Sequence, residues 1–113
     1  MRGDGDSRLN GWRGESDDSL LARMAAGDRD VWGGLVARHL PPIVRYAGYM
    51  LGNGSHAEDM AQETFVRLLA KAPGWRPGGP KLWTWLYRVA GNLCRDHGRA
   101  RQTVPLEAAG IWP

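Results

Sequence analysis

Three tryptophans lie beside a proline- and glycine-rich stretch, just ahead of a run of basic residues. The stretch PGWRPGGPKLWTWLYRVAGN, residues 73–92, contains Trp75, Trp83 and Trp85. An indole ring stacks on an unpaired nucleobase with about 1–3 kcal/mol per base, and glycine lets the backbone approach a ligand closely. Prolines and glycines exclude a helix between residues 72 and 80. We therefore expect a loop whose edges hold a base turned out of its stack.

The segment after this loop predicts a helix from Lys81 to about Arg101 with two different sides. One side is apolar and is expected to pack in the core: Leu82, Leu86, Val89, Ala90 and Leu93. The opposite side, which we call the basic row, carries five basic or amide side chains within about 60° of a helical wheel: Lys81, Arg88, Asn92, Arg95 and Arg99. This row is about 27 Å long and can follow several phosphates of a nucleic-acid strand. The alternative is an ordinary solvated face, although such faces usually mix acids with bases and this row contains no acid.

The same wheel separates the two tryptophans of this helix. Trp83 falls on the flank of the apolar side, so we expect its ring to be buried. Trp85 falls on the border between the apolar side and the basic row, so we expect its ring to be more open. Base capture is therefore expected from Trp75 and Trp85.

A second candidate surface lies on the helix predicted from His56 to Lys71. Its buried side is expected to contain Ala57, Met60, Ala61, Thr64, Phe65 and Leu68. Its outward side contains Asp59, Gln62, Glu63 and Val66. An outward valine flanked by acidic and amide groups is typical of a docking surface for a basic partner helix. The alternative is that the carboxylates only stabilise the helix dipole.

Residue types suited to catalysis or metal binding are poorly arranged for either. Glu58 and Asp59 are adjacent and diverge on a helix, which separates them as a general acid and base. The three histidines are scattered, and Cys94 with His97 offers only two metal ligands. We expect no catalytic residue, no metal and no cofactor, and an enzyme acting on nucleic acid is the least favoured class.

Composition limits the class of protein further. The chain has 113 residues and a net charge of +3, which is the size of one domain. Residues 1–71 contain nine Lys and Arg against ten Asp and Glu, whereas residues 72–113 contain six against two. Cys94 is the single cysteine, which suits a reducing cytoplasm, and no apolar run approaches the roughly 20 residues that span a bilayer. We therefore expect a cytoplasmic protein that does not insert into membranes.

Helical periodicity covers most of the chain and alternating strand patterns are absent, which predicts an all-α bundle of about four helices. Residues 1–15 are expected to form a flexible tail, and residues 16–102 the helical domain. Ser16 is expected to cap the first helix and Gly27 to end it.

Capping residues, prolines and glycines predict where the remaining helices begin and end. Asp28 is expected to cap the second helix, which Pro41-Pro42 must end or kink because proline lacks the amide donor. Helix then resumes over residues 43–51 and is closed by Gly52. The sequence from Ser55 to Glu58 matches a capping box for the next helix.

Two groups of residues carry a resemblance to a known family. The first group is Ala57-Glu58-Asp59 with Gln62-Glu63 and Phe65, and the second is Trp85-Leu86-Tyr87 with Ala90, Asn92 and Asp96. With the surrounding residues 17–102, they resemble region 2, the N-terminal conserved domain of bacterial sigma-70 family factors. The likeness is greatest to the extracytoplasmic-function (ECF) group.

The resemblance implies partners for both candidate surfaces. In this family, the helix at residues 56–71 docks on the clamp helices of the RNA polymerase β′ subunit, which implies polymerase contacts at Asp59, Gln62, Glu63 and Val66. The loop and the following helix recognise and help melt the promoter minus-ten element. Contacts to a flipped non-template base and its strand are then implied for Trp75, Arg76, Gly78, Gly79, Lys81, Trp85, Arg88, Asn92, Arg95 and Arg99. An anti-sigma factor that covers the same surfaces is an implied second partner, and the domain alone is expected to be monomeric.

Some positions depart from the family pattern. Gly91 stands where the family often has arginine, and Gly98 interrupts the basic end of the helix. Residues 103–113 resemble the start of an interdomain linker, without the helix-turn-helix domain that reads the minus-thirty-five element in this family. The alternative function is a protein-interaction module, for example a decoy that binds an anti-sigma factor or polymerase without recognising DNA.

Overall fold

The computed structural model describes residues 14–52 and 54–108, with side chains described as far as Gly98. Four helices follow one another: α1 Asp17–Ala25, α2 Asp30–Leu51, α3 Ala57–Lys71 and α4 Leu82–Ala108, with a 3₁₀ turn at Ala72–Gly74. The described ranges contain no strand, and the predicted all-α bundle of about four helices is confirmed. α4 continues beyond the predicted end near Arg101. The tail predicted over residues 1–15 lies almost entirely outside the described residues.

Local sequence signals set the bounds of α1. Ser16 caps the helix, as predicted, because its hydroxyl accepts a hydrogen bond from the Ser19 amide at 3.1 Å. At the other end Gly27 has a φ of 103°, a left-handed conformation that favours glycine. The Gly27 amide donates to the Met24 carbonyl at 3.0 Å, and the next amide donates to the Arg23 carbonyl at 2.9 Å. This pair of hydrogen bonds is a Schellman C-cap, so the predicted stop at Gly27 is confirmed.

Asp28 joins α1 to α2. Its Oδ1 accepts the Asp30 amide at 3.1 Å, which satisfies a donor in the first turn of α2, although the capping position falls on Arg29, one residue after the predicted Asp28. Its Oδ2 accepts hydrogen bonds from Nε and Nη2 of Arg23 at 3.1 and 2.8 Å. This pairing lowers the pKa of the Asp28 carboxyl, chiefly through the hydrogen bond from Arg23. Arg23 also forms an ion pair with Glu15, so one guanidinium links the residues just before α1 to the turn between α1 and α2.

α2 passes through Pro41 and Pro42 without interruption, so the prolines do not end the helix, and the stretch expected to resume as helix over residues 43–51 is the second half of α2. Each proline removes one amide donor from the helix. The packing on both sides of them offsets this loss, because Leu35, Ile43 and Ala47 are all buried on the same side of α2. Tertiary contacts therefore hold the helix together where local propensity opposes it.

The turn between α2 and α3 shifts the start of α3 by one residue. Gly52 closes α2 with a φ of 79°, as predicted. The capping residue of α3 is His56, one residue after the predicted Ser55, and the His56 side chain makes no capping hydrogen bond. Instead the Ala57 amide donates to the Gly54 carbonyl at 3.3 Å, and this turn leads the chain into α3.

α2 packs against both α3 and α4, which also contact each other. The main core takes residues from every helix, and its largest fully buried side chains are Leu20, Leu21, Leu35, Ile43, Thr64, Leu68, Leu82 and Leu86. The predicted apolar side of α4 is therefore the packed side, and the basic row lies on the surface. Among the described helices, none is both long enough and apolar enough to cross a membrane.

Candidate nucleic-acid interface and docking face

The loop between α3 and α4 is shaped by a tight turn. The Gly79 amide donates to the Arg76 carbonyl at 3.4 Å, which closes a four-residue turn with Pro77 in its second position. Gly78 follows with a φ of 84°. Proline in the second position and a left-handed glycine in the third are the requirements of a type II turn. Gly78 is therefore required by backbone conformation, whereas a Cβ on Gly79 would make only ordinary contact, 3.5 Å from the Arg76 carbonyl oxygen.

The indole rings of Trp75 and Trp85 lie in contact beside this turn. The rings of Trp75 and Trp85 meet edge to face, with centroids 5.9 Å apart and planes at 85°. They border a cavity of about 270 Å³, which we call the loop pocket. Its lining residues are Lys71, Gly74, Trp75, Arg76, Gly79, Pro80 and Trp85. The structure thus brings together four predicted site residues: Trp75, Arg76, Gly79 and Trp85.

Trp75 offers a hydrogen-bond donor that the described residues leave unused. Its indole Nε1 is buried and has no acceptor among them. A buried donor without a partner costs about 1–3 kcal/mol, so such groups usually have a structural or functional reason. Trp75 also lines the loop pocket, but because Nε1 itself is buried, the residue offers the pocket its ring and not this donor.

The basic row is exposed along α4. Lys81, Arg88, Asn92 and Arg95 are all exposed, whereas the side chain of Arg99 lies beyond the described part. Arg95 Nη2 donates to Asn92 Oδ1 at 2.6 Å. This bond orients the Asn92 amide so that its NH₂ group remains available as a donor, a detail that the wheel does not indicate. The loop pocket opens at the end of α4 where the row begins.

Gly91 has a packing role that sequence reasoning missed. A Cβ at this position would lie 3.1 Å from the Tyr46 hydroxyl and 3.5 Å from Arg95 Nη1. The absence of a side chain lets Tyr46 of α2 approach α4 closely and rest against Tyr87, with ring centroids 4.9 Å apart. The sequence signal for this close contact was a glycine within a segment that is otherwise strongly helical.

Trp83 is not a core residue, so the prediction of its burial is wrong. About half of it is exposed, at 51%. At this level Ile43 of α2 and Leu86 of α4 are buried, and they line a groove of about 550 Å³ together with Trp83. The indole therefore lies at the edge of that groove, where its ring meets Tyr87 at a centroid distance of 6.3 Å. Trp85, expected to be the more open ring, is instead partly buried against the core.

The outward side of α3 forms the second surface, which we call the docking face. Asp59, Gln62 and Val66 are exposed, and Val66 reaches 59%. Glu63 Oε2 accepts from Arg67 Nε at 3.3 Å, which is an i,i+4 ion pair on the surface. Leu69, one helical turn after Val66, is 49% exposed and extends the apolar part of the face. Sequence reasoning missed Leu69, although its spacing from Val66 was visible.

The histidines, carboxylates and Cys94 of the described residues are the other groups with reactive chemistry. No group of three or more His, Cys, Asp or Glu side chains suited to a metal ion lies in the described part of the chain. The Cys94 thiol is buried, and this burial raises its pKa, an effect that the nearby charge of Arg95 opposes. A raised pKa disfavours the thiolate, so Cys94 behaves as a small apolar residue of the packing.

The family model for Sigma-70 region 2 matches residues 35–104. The chain therefore belongs to the Sigma-70 region 2 family. The matched range contains every residue that lines the loop pocket and every residue of the docking face.

Curated relatives place the domain beside sigma factors of the ECF type. The chain is 35% identical over 78 residues to the ECF RNA polymerase sigma factor BldN of Streptomyces coelicolor, which covers 69% of this chain and 30% of the relative. It is 34% identical over 82 residues to the ECF RNA polymerase sigma factor SigW of Bacillus subtilis, covering 73% and 43%. It is 32% identical over 89 residues to the RNA polymerase sigma factor CarQ of Myxococcus xanthus, covering 79% and 51%. The chain thus spans about a third to a half of the length of these relatives.

Proposed function

We propose that this domain serves as region 2 of an ECF-type sigma factor, which joins RNA polymerase core and captures the promoter minus-ten element in transcription initiation. The observation that carries the proposal is the position of the loop pocket. It opens where the basic row begins, so one DNA strand can place a base in the pocket and its phosphates along α4. The role is non-enzymatic, and it locates the domain with polymerase and DNA in the cytoplasm.

The loop pocket suits an unstacked base of the non-template strand. Trp75 and Trp85 stand perpendicular, so a base that stacks on one ring meets the edge of the other. Arg76 adds positive charge at the rim of the pocket. Lys81, Arg88 and Arg95 then neutralise phosphates, Asn92 donates a hydrogen bond, and Arg99 extends the row by one further turn.

The docking face suits the β′ clamp helices of polymerase core. Asp59, Gln62 and Glu63 offer acceptors to basic side chains, and Val66 with Leu69 offers apolar area at the centre of the contact. An exposed apolar pair flanked by acids is costly to leave in water, so this face is expected to be covered in the working complex. An anti-sigma factor that covers either surface is the second partner that we propose, and the free domain is monomeric.

DNA capture is tested with a fluorescent single-stranded oligonucleotide that contains a minus-ten sequence, with and without polymerase core. The double variant Arg88→Glu, Arg95→Glu is expected to bind at least tenfold more weakly, since two attractive phosphate contacts become repulsive. Arg29→Glu is the matched control, because Arg29 is exposed at the start of α2, away from the basic row. Wild-type affinity must also fall as salt rises.

Two results would contradict the proposal. If the double variant captured the oligonucleotide as well as the wild type, the basic row would not contact DNA. If the wild type bound core or an anti-sigma factor but never captured the strand, the domain would be the protein-interaction module instead.

A further inference from the structure

The guanidinium of Arg95 lies back over the preceding turn of α4. Its Nη1 and Nη2 atoms are 3.5 and 3.6 Å from the position that a Cβ on Gly91 would occupy. Gly91 precedes Arg95 by four residues, and long side chains on a helix point toward its N-terminus. The positive charge is therefore displaced by about 6 Å along the axis, toward the end of α4 where the loop pocket opens.

Two groups border the guanidinium in this position. On the side of the basic row, Asn92 Oδ1 accepts a hydrogen bond from Arg95 Nη2 at 2.6 Å. On the side of α2, the Tyr46 hydroxyl lies 3.1 Å from the same Cβ position on Gly91. Gly91 is buried beneath these groups. The guanidinium thus lies between a hydrogen-bond partner on its own helix and a tyrosine of the neighbouring helix.

Tyr46 is itself held by packing. Its ring meets the ring of Tyr87 edge to face, with centroids 4.9 Å apart and planes at 79°. Both rings are partly buried and pack against the main core, and the next residue of α2, Ala47, is fully buried. A packed ring has few rotamers open to it, so its hydroxyl is a fixed boundary for the Arg95 side chain.

A held arginine is better prepared to bind a phosphate than a free one. A long side chain that becomes ordered on binding loses rotamer entropy, which lowers affinity. Arg95 is already ordered by its neighbours, so it loses less. Its side chain is exposed, and the bond to Asn92 uses one of the five donors of the guanidinium, so the other donors remain for a phosphate.

We propose that Tyr46 is a positioning residue for strand binding, which together with the bare backbone of Gly91 holds Arg95 where it meets a phosphate. Tyr46 acts through Arg95 and does not contact the strand. This inference rests on the proposed function, because it concerns how one contact of the basic row is prepared. Loss of the Tyr46 hydroxyl therefore weakens strand binding only while Arg95 is present.

The test is a double-mutant cycle on the full chain, saturated with polymerase core, with a fluorescent single-stranded minus-ten oligonucleotide. Tyr46→Phe removes the hydroxyl and keeps the ring against Tyr87, and it is expected to bind about threefold more weakly. Arg95→Ala is expected to bind about fivefold more weakly or worse. The double variant is expected to bind like Arg95→Ala alone, because the hydroxyl then has nothing left to position.

Salt dependence separates positioning from charge. For a single strand, the slope of log affinity against log salt becomes shallower by about 0.7 for each phosphate contact that is lost. Arg95→Ala is expected to show this change, whereas Tyr46→Phe keeps the charge and is expected to keep the wild-type slope. Affinity for polymerase core is expected to stay unchanged in both variants.

Two further variants serve as control and as substitute. In an Arg88→Ala background, which removes another exposed charge of the basic row, Tyr46→Phe is expected to cost its full threefold. Gly91→Ala places a Cβ 3.1 Å from the Tyr46 hydroxyl and is expected to weaken binding in the wild type but not in Arg95→Ala. Thermal unfolding checks each fold, and Gly91→Ala decides the question if Tyr46→Phe does not fold.

The outcomes separate this inference from the proposed function. If Tyr46→Phe or Arg95→Ala binds the strand like the wild type while Arg88→Glu binds weakly, the positioning role is wrong and the proposed function stands. If Tyr46→Phe costs as much in the Arg95→Ala background as in the wild type, Tyr46 acts through the fold or through its own contact, and the inference is overturned. If the wild type captures no oligonucleotide, both fail.

Discussion

The loop pocket is built from backbone turns and half-buried rings, whereas the docking face is built from exposed side chains along one helix. The pocket needs a left-handed Gly78 and the perpendicular contact between Trp75 and Trp85. The face needs only the 3.6-residue period that places Asp59 and Val66 on one side of α3. We therefore expect substitutions in the pocket to change both binding and stability, and substitutions on the docking face to change binding with little effect on folding.

The largest difference between the two regions is expected from truncating one ring in the pocket. Trp85 packs partly against the core, so Trp85→Ala is expected to lower the free energy of unfolding by about 2 kcal/mol and to weaken single-stranded DNA binding at least tenfold. Trp85→Phe should keep most of the stability. Chemical denaturation and oligonucleotide titration measure the two effects, and unchanged stability in Trp85→Ala would break the proposed coupling.

The docking face should show the opposite pattern. Val66→Ala combined with Leu69→Ala is expected to weaken binding to polymerase core about tenfold, because both side chains offer exposed apolar area at a contact. The free energy of unfolding should change by about 0.5 kcal/mol or less per substitution, since exposed positions rarely matter for folding. A large loss of stability in this double variant would mean that the face is part of the core.

A smaller effect is expected from the turn that shapes the pocket. Gly78→Ala forces a side chain into the left-handed region, which costs about 1 kcal/mol and tilts the turn that carries Arg76. Gly79→Ala is the matched control, because its Cβ would make only ordinary contact. Denaturation midpoints of the two variants should therefore differ, and equal midpoints would contradict the assignment of the type II turn.

The smallest effect concerns the corner between α1 and α2, which contains neither of the two surfaces. Arg23 lowers the pKa of the Asp28 carboxyl, so the pairing stabilises the fold above the ordinary Asp pKa of about 3.9 and is lost as pH falls through the lowered value. Arg23→Gln should therefore melt below the wild type at pH 7 and together with it at pH 2. A constant difference at both pH values would show that Arg23 acts through packing alone.

The sequence predicted those parts of the fold that depend on local signals. Ser16, Gly27 and Gly52 act where capping and left-handed glycine place them, because these preferences act within one turn of the chain. The predictions failed where contacts between residues that are distant in the sequence determine the structure. α2 remains helical at Pro41 and Pro42 because packing in the core buries residues both before and after the two prolines. Local helix propensities do not include such contacts.

The candidate sites also divide into features that local sequence predicts and features that depend on tertiary contacts. Residue types and helical spacing were enough to predict that Asp59, Gln62 and Val66 on α3 and most of the basic row on α4 are exposed. The wheel misplaced Trp83 because burial depends on which side of α4 faces α2, and it missed the approach of Tyr46 to Gly91 for the same reason. The loop pocket could not be predicted without the fold, because the contact between Trp75 and Trp85 joins two sides of a turn.

The central claim is that α3 binds polymerase and α4 with its loop binds DNA, as separable surfaces of one domain. The most direct test measures both affinities for Asp59→Arg and for Arg88→Glu, with DNA capture recorded at core concentrations that saturate each variant, and with Asp18→Arg as an exposed acid control on α1. Asp59→Arg is expected to lose core binding at least tenfold and to capture DNA normally once saturated, whereas Arg88→Glu is expected to bind core normally and lose DNA capture. If each variant lowered both affinities equally, or if Arg88→Glu released the domain from core, the assignment of the two surfaces would be contradicted.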